Sequence, residues 1–320
     1  MRAAILEHFG EAPVPGETRE PVLGPDEALV EVAMAALNPV DLRVATGTFY
    51  GARPELPYVV GSEGMGVVRA SRRWPLGQRV RFGPARPGAL AELVAAPEDS
   101  LVAVPDAVSD ALAAGIGVAG MAAWGSLAAA RLHEGDRVLV LGATGAVGRL
   151  AVQVARLLGA TRVVAAARDA VALRGLVDLG AQATVVLDGR DPAVLAEAIV
   201  DAAEGHPDVI IDPLWGEAAL AGAMAAAPGA RLVNLGDSAG STMSLPSALL
   251  RSRHMEILGY TNIALPQAEQ RSAIESLLHH ASEGRLRLDH DVVALEEVGA
   301  AWAAQAAPPH AKVLVQMKRA

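Results

Sequence analysis

A glycine-rich turn directly after an apolar strand constrains the fold of this chain more than any other feature. The strand is Arg137–Leu141, a continuous apolar run of the kind that lies buried in a parallel sheet. The turn reads Gly142-Ala143-Thr144-Gly145-Ala146-Val147-Gly148, and apolar residues then recur at helical spacing as far as Leu158. A buried strand, such a turn and an amphipathic helix together predict a βαβ unit that binds the phosphates of a dinucleotide.

Each glycine of the turn has its own physical role in this interpretation. Gly142 permits the tight exit from the strand, Gly145 lets backbone amides approach a pyrophosphate, and Gly148 lets the helix pack closely on the sheet. The start of the helix adds free N–H groups and a partial positive charge. A glycine-rich turn without a ligand is the alternative. The residues expected to bind the phosphates are Gly142, Thr144, Gly145, Ala146, Val147 and Gly148.

From about residue 120 onward, strands and helices alternate along the chain. The predicted strands are Arg137–Leu141, Arg162–Ala166, Ala183–Leu187, Val209–Ile211, Arg231–Leu235 and Glu256–Tyr260. The helices predicted after the first four strands cover about residues 147–158, 170–179, 192–203 and 217–226. Six parallel strands with crossover helices form a doubly wound sheet, so we predict an α/β chain with a Rossmann domain over residues 119–263.

The first 110 residues follow a different pattern. Short apolar runs such as Ala28–Val32 and Gly64–Val68 are separated by proline and glycine, which predicts a small, irregular, barrel-like β domain. Near the C-terminus, a helix is predicted at about 267–283 and a strand at Lys312–Val315 with no helix after it. We expect that strand to return to the first domain, which would then comprise residues 1–118 and 264–320.

Composition excludes several classes of function. The formal net charge of −9 and the lack of a basic run argue against binding to nucleic acid. No long apolar run predicts a membrane span, and we expect a cytoplasmic protein. The chain has no cysteine, which removes disulfides, thiol nucleophiles and thiolate zinc sites. Its eight histidines lack ligand spacing, and the adjacent His279 and His280 point to different faces of a helix, so no metal site is predicted.

The end of the second Rossmann strand indicates which dinucleotide is bound. An acidic residue about 20 positions after the glycines would bind the 2′-hydroxyl of an NAD ribose. Ala167 occupies that position, and Arg168 follows it as a fixed cation that suits a 2′-phosphate. Asp169 is more simply explained as the cap of the helix that begins at Ala170. The sequence therefore favours NADPH, with a solvated surface role as the alternative for Arg168.

Further motifs accompany the glycine turn. They are Leu37-Asn38-Pro39-Val40-Asp41, Gly61-Ser62-Glu63-Gly64-Met65-Gly66, Gly77-Gln78-Arg79-Val80, Ala119-Gly120-Met121-Ala122-Ala123-Trp124 and Asn234-Leu235-Gly236-Asp237-Ser238-Ala239-Gly240. With these motifs in this order, the chain resembles the zinc-independent quinone oxidoreductase branch of the medium-chain dehydrogenase/reductase superfamily. The resemblance covers nearly the whole chain. The resemblance implies a GroES-like irregular β-barrel catalytic domain beside the Rossmann domain. It also implies a homodimer joined through the edge of the Rossmann sheet.

The resemblance further implies where the substrate binds. Zinc-dependent relatives carry a cysteine near Asn38 and a histidine near Ser62, and neither ligand is present here. The substrate is expected in a cleft between the domains, beside the nicotinamide, with Asn38, Arg43 and Tyr50 as candidate hydrogen-bond donors. Their alternative roles are a loop-stabilising amide, a surface cation and a packed aromatic ring, respectively. Asp41 matches a position that lines the cleft, or it caps a short helix beginning at Leu42.

Additional cofactor contacts are expected from Leu214, Leu235, Gly236 and Asp237, near the ends of later Rossmann strands. The expected reaction is hydride transfer from NADPH to a small conjugated electrophile, a quinone or an α,β-unsaturated carbonyl. Hydride addition at the β-carbon leaves an enolate, which needs hydrogen-bond donors and a solvent proton. A short-chain dehydrogenase is excluded because Tyr260 is not followed by the required lysine. A catalytically idle NADPH-binding redox sensor or stress protein remains the alternative.

Overall fold

A computed structural model describes residues 1–51, 53–307 and 310–317. The chain divides into two compact units. Unit 1 comprises Met1–Ala119 and Pro266–Ala320, and unit 2 comprises Gly120–Leu265. The fold class predicted from the sequence, a GroES-like β domain with a Rossmann-type parallel sheet, is confirmed.

The regular elements alternate in type only after the first third of the chain. The N-terminal part contains β1 (Arg2–Leu6), β2 (Val14–Glu17), β3 (Glu27–Ala36), α1 (Pro39–Ala45), β4 (Tyr58–Val59), β5 (Glu63–Ala70), β6 (Arg79–Phe82), β7 (Leu93–Pro97), β8 (Val102–Ala103) and α2 (Asp110–Gly115). The middle part contains α3 (Gly117–Ala129), β9 (Arg137–Leu141), α4 (Ala146–Leu157), β10 (Arg162–Ala167), α5 (Ala170–Arg174), β11 (Ala183–Val186), α6 (Pro192–Ala203), β12 (Val209–Asp212), α7 (Gly216–Ala225), β13 (Arg231–Asn234), α8 (Ser247–Ser252) and β14 (Glu256–Gly259). The C-terminal part contains α9 (Gln267–Ser282), β15 (His290–Ala294), α10 (Val298–Ala306) and β16 (Lys312–Gln316).

Unit 1 is built from two mostly antiparallel sheets. The smaller one has the order β2-β1-β4, and the larger one has the order β15-β16-β3-β5-β6-β8, with β7 also paired to β3. The long strand β3 is irregular, because its pairing with β5 shifts register between Leu29 and Val30 and between Val32 and Met34. Such shifts bend and twist a strand, which suits an irregular barrel. The terminal strand β16 pairs with β3, so the chain does return to the N-terminal segment.

Unit 2 contains one six-stranded parallel sheet in the order β11-β10-β9-β12-β13-β14. The order reverses at β9, which is the strand that carries the glycine turn, and ligands of doubly wound sheets bind at such a switch point. The predicted strands are confirmed to within a residue at each end. One helix prediction was inaccurate, because α5 ends at Arg174 rather than near 179, and the helices α2, α8 and α10 were not predicted.

Each unit has its own apolar core. In unit 1, alternate residues of the strands pack with Phe82, Leu90 and Trp302. In unit 2, Leu139, Leu141 and Ile210 of the central strands pack against small residues of α6 and α7, so these helices lie close to the sheet. No helix of the described residues is long and apolar enough to span a bilayer.

Candidate functional site

The glycine turn lies between the carboxyl end of β9 and the first turn of α4, as its sequence predicts. Gly142 has φ +59°, a left-handed conformation that disfavours larger residues. The Ala143 N–H donates to the Ala166 carbonyl at 3.0 Å, and the Gly145 N–H donates to the Gly142 carbonyl at 3.1 Å. These bonds fix the turn against the neighbouring strand β10.

The other two glycines of the turn have different surroundings. A Cβ placed on Gly148 would lie 2.5 Å from both the Ala143 Cα and the Gly142 oxygen, so a side chain there would push α4 away from the turn. A Cβ placed on Gly145 would meet, among the described residues, only the Gly142 oxygen at 3.6 Å. Gly145 therefore faces open space at the N-terminus of a 12-residue helix, where free N–H groups favour a phosphate. The turn fits a dinucleotide pyrophosphate.

The other expected phosphate contacts lie around this opening. Ala146 and Val147 form the partly exposed first turn of α4, and Thr144 is buried. The guanidinium Nε of Arg149, in the next turn of α4, donates to the Thr144 carbonyl at 3.1 Å. Arg149 is also buried, and it braces the turn from within the helix.

The end of β10 has the arrangement that the cofactor prediction requires. Ala167 is buried as the last residue of the strand, whereas Arg168 is exposed directly after it. Asp169 caps α5, because its carboxylate accepts the N–H groups of Val171 and Ala172 at 2.8 and 3.0 Å. The capping role predicted for Asp169 is confirmed, and the role of Arg168 at a 2′-phosphate stays a prediction.

The ends of β12 and β13 form a polar brace between two loops. Asp212 is fully buried, and burial raises the pKa of its carboxyl group. One carboxylate oxygen accepts the N–H groups of Leu214 and Trp215, each at 2.9 Å. The other accepts the Asn234 amide at 3.0 Å, and that amide also donates to the Gly236 carbonyl at 2.7 Å. These hydrogen bonds fix the two loops whose residues are predicted to contact the cofactor.

The residues of these two loops that are predicted to contact the cofactor have different surroundings. A Cβ on Gly142 would lie 3.1 Å from the Leu214 Cδ2, so Leu214 packs directly on the turn. A Cβ on Gly236 would lie 2.7 Å from the Pro213 oxygen, which shows how closely the two loops approach. Leu235 is partly buried and Asp237 is exposed at the end of the second loop.

In unit 1, the Asn-Pro-x-Asp motif forms the start of α1. Asn38 is the N-cap residue, Pro39 is the first helical residue, and the Asp41 carboxylate accepts the Asn38 backbone N–H at 2.8 Å. Proline at this position and a carboxylate three residues after the cap both favour a helix start. The prediction that Asp41 caps a helix beginning at Leu42 was therefore wrong, because the helix begins three residues earlier.

Behind α1 lies a buried group of charged and polar residues, here called the Glu63 cluster: Asn38, Glu63, Arg81 and Lys312. Glu63 is fully buried, and its two oxygens accept from opposite sides. One oxygen accepts the Asn38 amide at 2.9 Å and lies 3.6 Å from the Lys312 ammonium. The other accepts the Arg81 guanidinium and, at 2.6 Å, the backbone N–H of Val118.

The Asn38 side chain is held at both ends by this cluster. Its amide nitrogen donates to Glu63, and its oxygen accepts from the Lys312 ammonium. Only 1% of the residue is exposed. The second N–H of the amide faces the Ala36 carbonyl at 3.5 Å, so both N–H groups of this buried side chain are directed at protein acceptors, and donation to a substrate stays a prediction. The geometry supports the alternative, an amide that stabilises its loop.

The other two candidate donors are on the surface of unit 1. Arg43 is exposed in the last turn of α1. Tyr50 is 73% exposed, and its ring lies 4.5 Å from that of Phe49, centroid to centroid. Tyr50 therefore does not have its alternative role as a packed aromatic ring. The side chains of Arg43 and Tyr50 are both accessible to a small molecule.

The Glu63 cluster does not fit a zinc ion. Its potential ligands are neutral or already bonded, and two cations, Arg81 and Lys312, lie against its carboxylate. A divalent cation placed there would meet two positive charges in a buried setting, where repulsion is strong. Across the described residues, no three histidine or acidic side chains converge as a metal site.

Asp41 has an unusual ionisation in this environment. Burial raises the pKa of its carboxyl group to about 6, against the opposing effects of the Ser62 hydroxyl, the Asn38 N–H and the Lys312 charge. Burial also lowers the pKa of Lys312. Burial, together with the Asp41 charge, raises the pKa of Tyr58 to about 12. The protonation of Asp41 therefore changes between about pH 4 and 7, at the N-terminus of α1.

Asp41→Asn is expected to stabilise the protein at neutral pH. The folded-state pKa of about 6 lies above the ordinary value of about 3.9, so ionisation of Asp41 opposes folding as pH rises through this window. The cost is absent below about pH 4 and nearly complete above about pH 7, and a difference of about two pKa units corresponds to about 3 kcal/mol. Denaturant unfolding of unit 1 at about pH 4 and pH 8 measures it. Asp106→Asn, at an exposed aspartate of the same unit, serves as control, and an Asp41→Asn variant with the pH dependence of wild type would contradict the assignment.

Several residues of these sites were missed by the sequence interpretation. Glu63 lay within a recognised motif, but only as part of its glycine-rich turn. Lys312 offered one signal, because it is one of only two lysines in the chain. Arg81 and Asp212 offered none, since charged residues are by default assigned to the surface.

Comparisons with known proteins agree with this geometry. Residues 24–106 match the family described as alcohol dehydrogenase GroES-like domain, and residues 146–278 match zinc-binding dehydrogenase. The chain is 34% identical over 82% of its length to a phenolphthiocerol/phthiocerol polyketide synthase of Mycobacterium tuberculosis, of which it spans only 12%. It is 32% identical over half its length to the quinone oxidoreductase of Pongo abelii, of which it spans 50%.

The fold matches a solved structure over nearly all of both chains. The quinone oxidoreductase of Thermus thermophilus, whose complex with NADPH is also known, superposes with a TM-score of 0.85 at 28% identity, covering 99% of this chain and 100% of that one. These relatives support an oxidoreductase with a nicotinamide dinucleotide cofactor. The chain belongs to the medium-chain dehydrogenase/reductase superfamily, in its quinone oxidoreductase branch.

Proposed function

We propose that this protein is a zinc-free, NADPH-dependent reductase of quinones or other α,β-unsaturated carbonyls. The observation that carries the proposal is the glycine turn, which leaves room beside Gly145 at the start of α4. The names of the quinone oxidoreductases reported above support the substrate class, and the NADPH complex of one of them supports the cofactor.

The residues of this chain then have distinct tasks. The turn and the N-terminus of α4 bind the pyrophosphate, and Arg168 binds the 2′-phosphate. Bound NADPH supplies a hydride. The brace of Asp212 and Asn234 orients the loops beside the cofactor, and the exposed Arg43 and Tyr50 are the side chains that can donate to a substrate oxygen. Stabilising that oxygen as it gains charge is the main catalytic requirement, because the added proton can come from water.

Arg168→Ala is expected to weaken NADPH binding by about 1.5–3 kcal/mol, the range of a charge-assisted hydrogen bond. NADH lacks the 2′-phosphate, so its affinity should scarcely change. Fluorescence titration with both cofactors measures the difference. Arg174→Ala, which removes another exposed guanidinium from the adjacent helix α5, is the matched control and should alter neither. Equal losses for NADPH and NADH would contradict the role of Arg168.

The reaction is tested by following NADPH oxidation with a panel of ortho-quinones, para-quinones and enones. We expect turnover on at least one of these classes, and no loss of it after treatment with a chelator, because the Glu63 cluster does not fit zinc. Metal analysis of the purified protein should find no stoichiometric zinc. A protein that binds NADPH but reduces no member of the panel would support the idle redox sensor instead.

We also propose that two copies associate through the edge strand β14. This strand ends the six-stranded sheet, three of its four residues are exposed, and Ile257 is 37% exposed. An exposed apolar edge strand favours pairing with another chain. The molar mass in solution distinguishes one copy from two.

A further inference from the structure

Trp215 has a backbone conformation that is normally reserved for glycine. Its φ and ψ are +59° and −164°, and it stands at the N-cap of α7 without a side-chain capping bond. A bulky residue in this region is an outlier, and such conformations persist only where the surrounding structure imposes them. Gly216, the next residue, also has a positive φ of +64°.

Hydrogen bonds from both sides impose this conformation. The buried Asp212 carboxylate accepts the N–H groups of Leu214 and Trp215. From the loop after β13, the Ala239 N–H donates to the Leu214 carbonyl at 2.8 Å, and the Ser238 hydroxyl donates to the Pro213 carbonyl at 3.0 Å. The path of the loop is therefore fixed whichever side chain residue 215 carries. Glycine there would follow this path without strain.

Trp215 follows the strand that neighbours the glycine-turn strand in the sheet. Strand β12, which precedes it, is the neighbour of β9 in the sheet, and Leu214 packs on the glycine turn at Gly142. The indole is only partly buried, with one part packed against the apolar core of unit 2. Packing against the core explains why part of the indole ring is buried. It does not explain the strained backbone, which holds the rest of the ring at the carboxyl edge of the sheet.

We infer that Trp215 is a cofactor-contacting residue whose indole packs against a heteroaromatic ring of the bound dinucleotide. The inference rests on the dinucleotide binding of the proposed function, but not on its substrate. The adenine and nicotinamide rings share the flat, apolar faces that an indole stacks on. The contact gives a physical reason for a tryptophan where the backbone favours glycine.

Titration of wild type, Trp215→Ala and Trp215→Phe with NADPH and with 2′,5′-ADP tests the inference. Loss of one stacking contact should weaken NADPH about tenfold in Trp215→Ala, while Trp215→Phe, which keeps an aromatic ring, should stay within about threefold of wild type. If 2′,5′-ADP weakens in parallel, the ring contacted is adenine. If only NADPH weakens, it is nicotinamide. Unchanged NADPH affinity in Trp215→Ala overturns the inference.

Two controls separate this contact from a packing role. Met224→Ala removes a side chain that packs on the same core from the last turn of α7, so it should lower the melting temperature and leave NADPH affinity unchanged. Trp215→Gly should have a higher melting temperature than Trp215→Ala, which is the reverse of the usual order for glycine and alanine. The usual order would contradict the backbone strain on which the inference depends. A wild-type protein that binds no dinucleotide would contradict the proposed function instead.

Discussion

Glu63→Gln is expected to destabilise unit 1 by about 3–5 kcal/mol, the cost of leaving a buried charge without its partner. The carboxylate accepts hydrogen bonds from three groups, Asn38 at one oxygen and Arg81 and Val118 at the other. It also forms an ion pair with the Lys312 ammonium at 3.6 Å. Glutamine has a single acceptor oxygen, and its NH₂ group would face donors. At least one buried donor would then lose its partner, and two cations would lose their counter-charge.

Denaturant unfolding followed by tryptophan fluorescence measures this loss. Trp74 and Trp302 lie in unit 1, so a variant with Trp124 and Trp215 replaced by phenylalanine reports on unit 1 by itself. The matched control within unit 1 is Glu296→Gln, which breaks the exposed Arg2–Glu296 pair and should cost about 1 kcal/mol or less. Glu63→Gln combined with Lys312→Met should recover part of the loss, since it removes one uncompensated cation. A Glu63→Gln variant as stable as the control would show that the cluster contributes no specific stability.

Local patterns in the sequence were sufficient to predict the Rossmann unit. Continuous apolar runs such as Arg137–Leu141 identify buried parallel strands, and the glycine turn identifies the strand at which ligands bind. The helix after each strand follows from apolar spacing and from caps such as Asp169. These signals lie within about ten residues of one another, so no knowledge of the tertiary structure is needed to read them.

The start of α1 was readable but was misinterpreted. Asn38-Pro39-Val40-Asp41 carries an N-cap residue, a proline at the first helical position and a carboxylate at the third. A cap at Asp41 was predicted, but for a helix beginning at Leu42, three residues later than the observed start at Pro39. Helix α10 was missed for another reason, because Val298–Ala306 consists mainly of small apolar residues without a polar face.

The Glu63 cluster could not be predicted from local patterns. Asn38 and Glu63 are 25 residues apart, and Asn38 and Lys312 are 274 apart. Only the pairing of β16 with β3 brings the terminal lysine beside the asparagine. Trp215 is similar, since its backbone conformation is imposed by a loop that follows β13, a later strand of the sheet. Interactions between distant segments determine both features.

Asn38→Ala is expected to lower turnover on an enone about 10²-fold while NADPH affinity is preserved. The amide is bonded to Glu63 and Lys312, so the loss would arise through α1, which begins after Asn38 and carries Arg43. A displacement of about 1 Å in a group that stabilises the developing oxyanion costs turnover on this scale. Quinones are intrinsically easier to reduce, so the loss with a quinone should be smaller. Steady-state kinetics with both substrates give the comparison.

Lys312→Met distinguishes positioning by Asn38 from direct donation. If the cluster positions α1, Lys312→Met removes the other support of the same amide, and it should reduce turnover with the same preference for the enone. The double variant should then lose little more than either single one, because both changes disrupt one interaction. If Asn38 donates to the substrate after a local rearrangement, Lys312→Met should retain most of its activity, since the amide would still be present. Tyr50→Phe and Arg43→Ala complete the comparison, because the exposed side chains of Tyr50 and Arg43 can donate directly to a substrate. Both substitutions should lower turnover without altering the stability of unit 1. Full activity in Asn38→Ala would leave Arg43 and Tyr50 as the remaining candidates for stabilising the substrate oxygen.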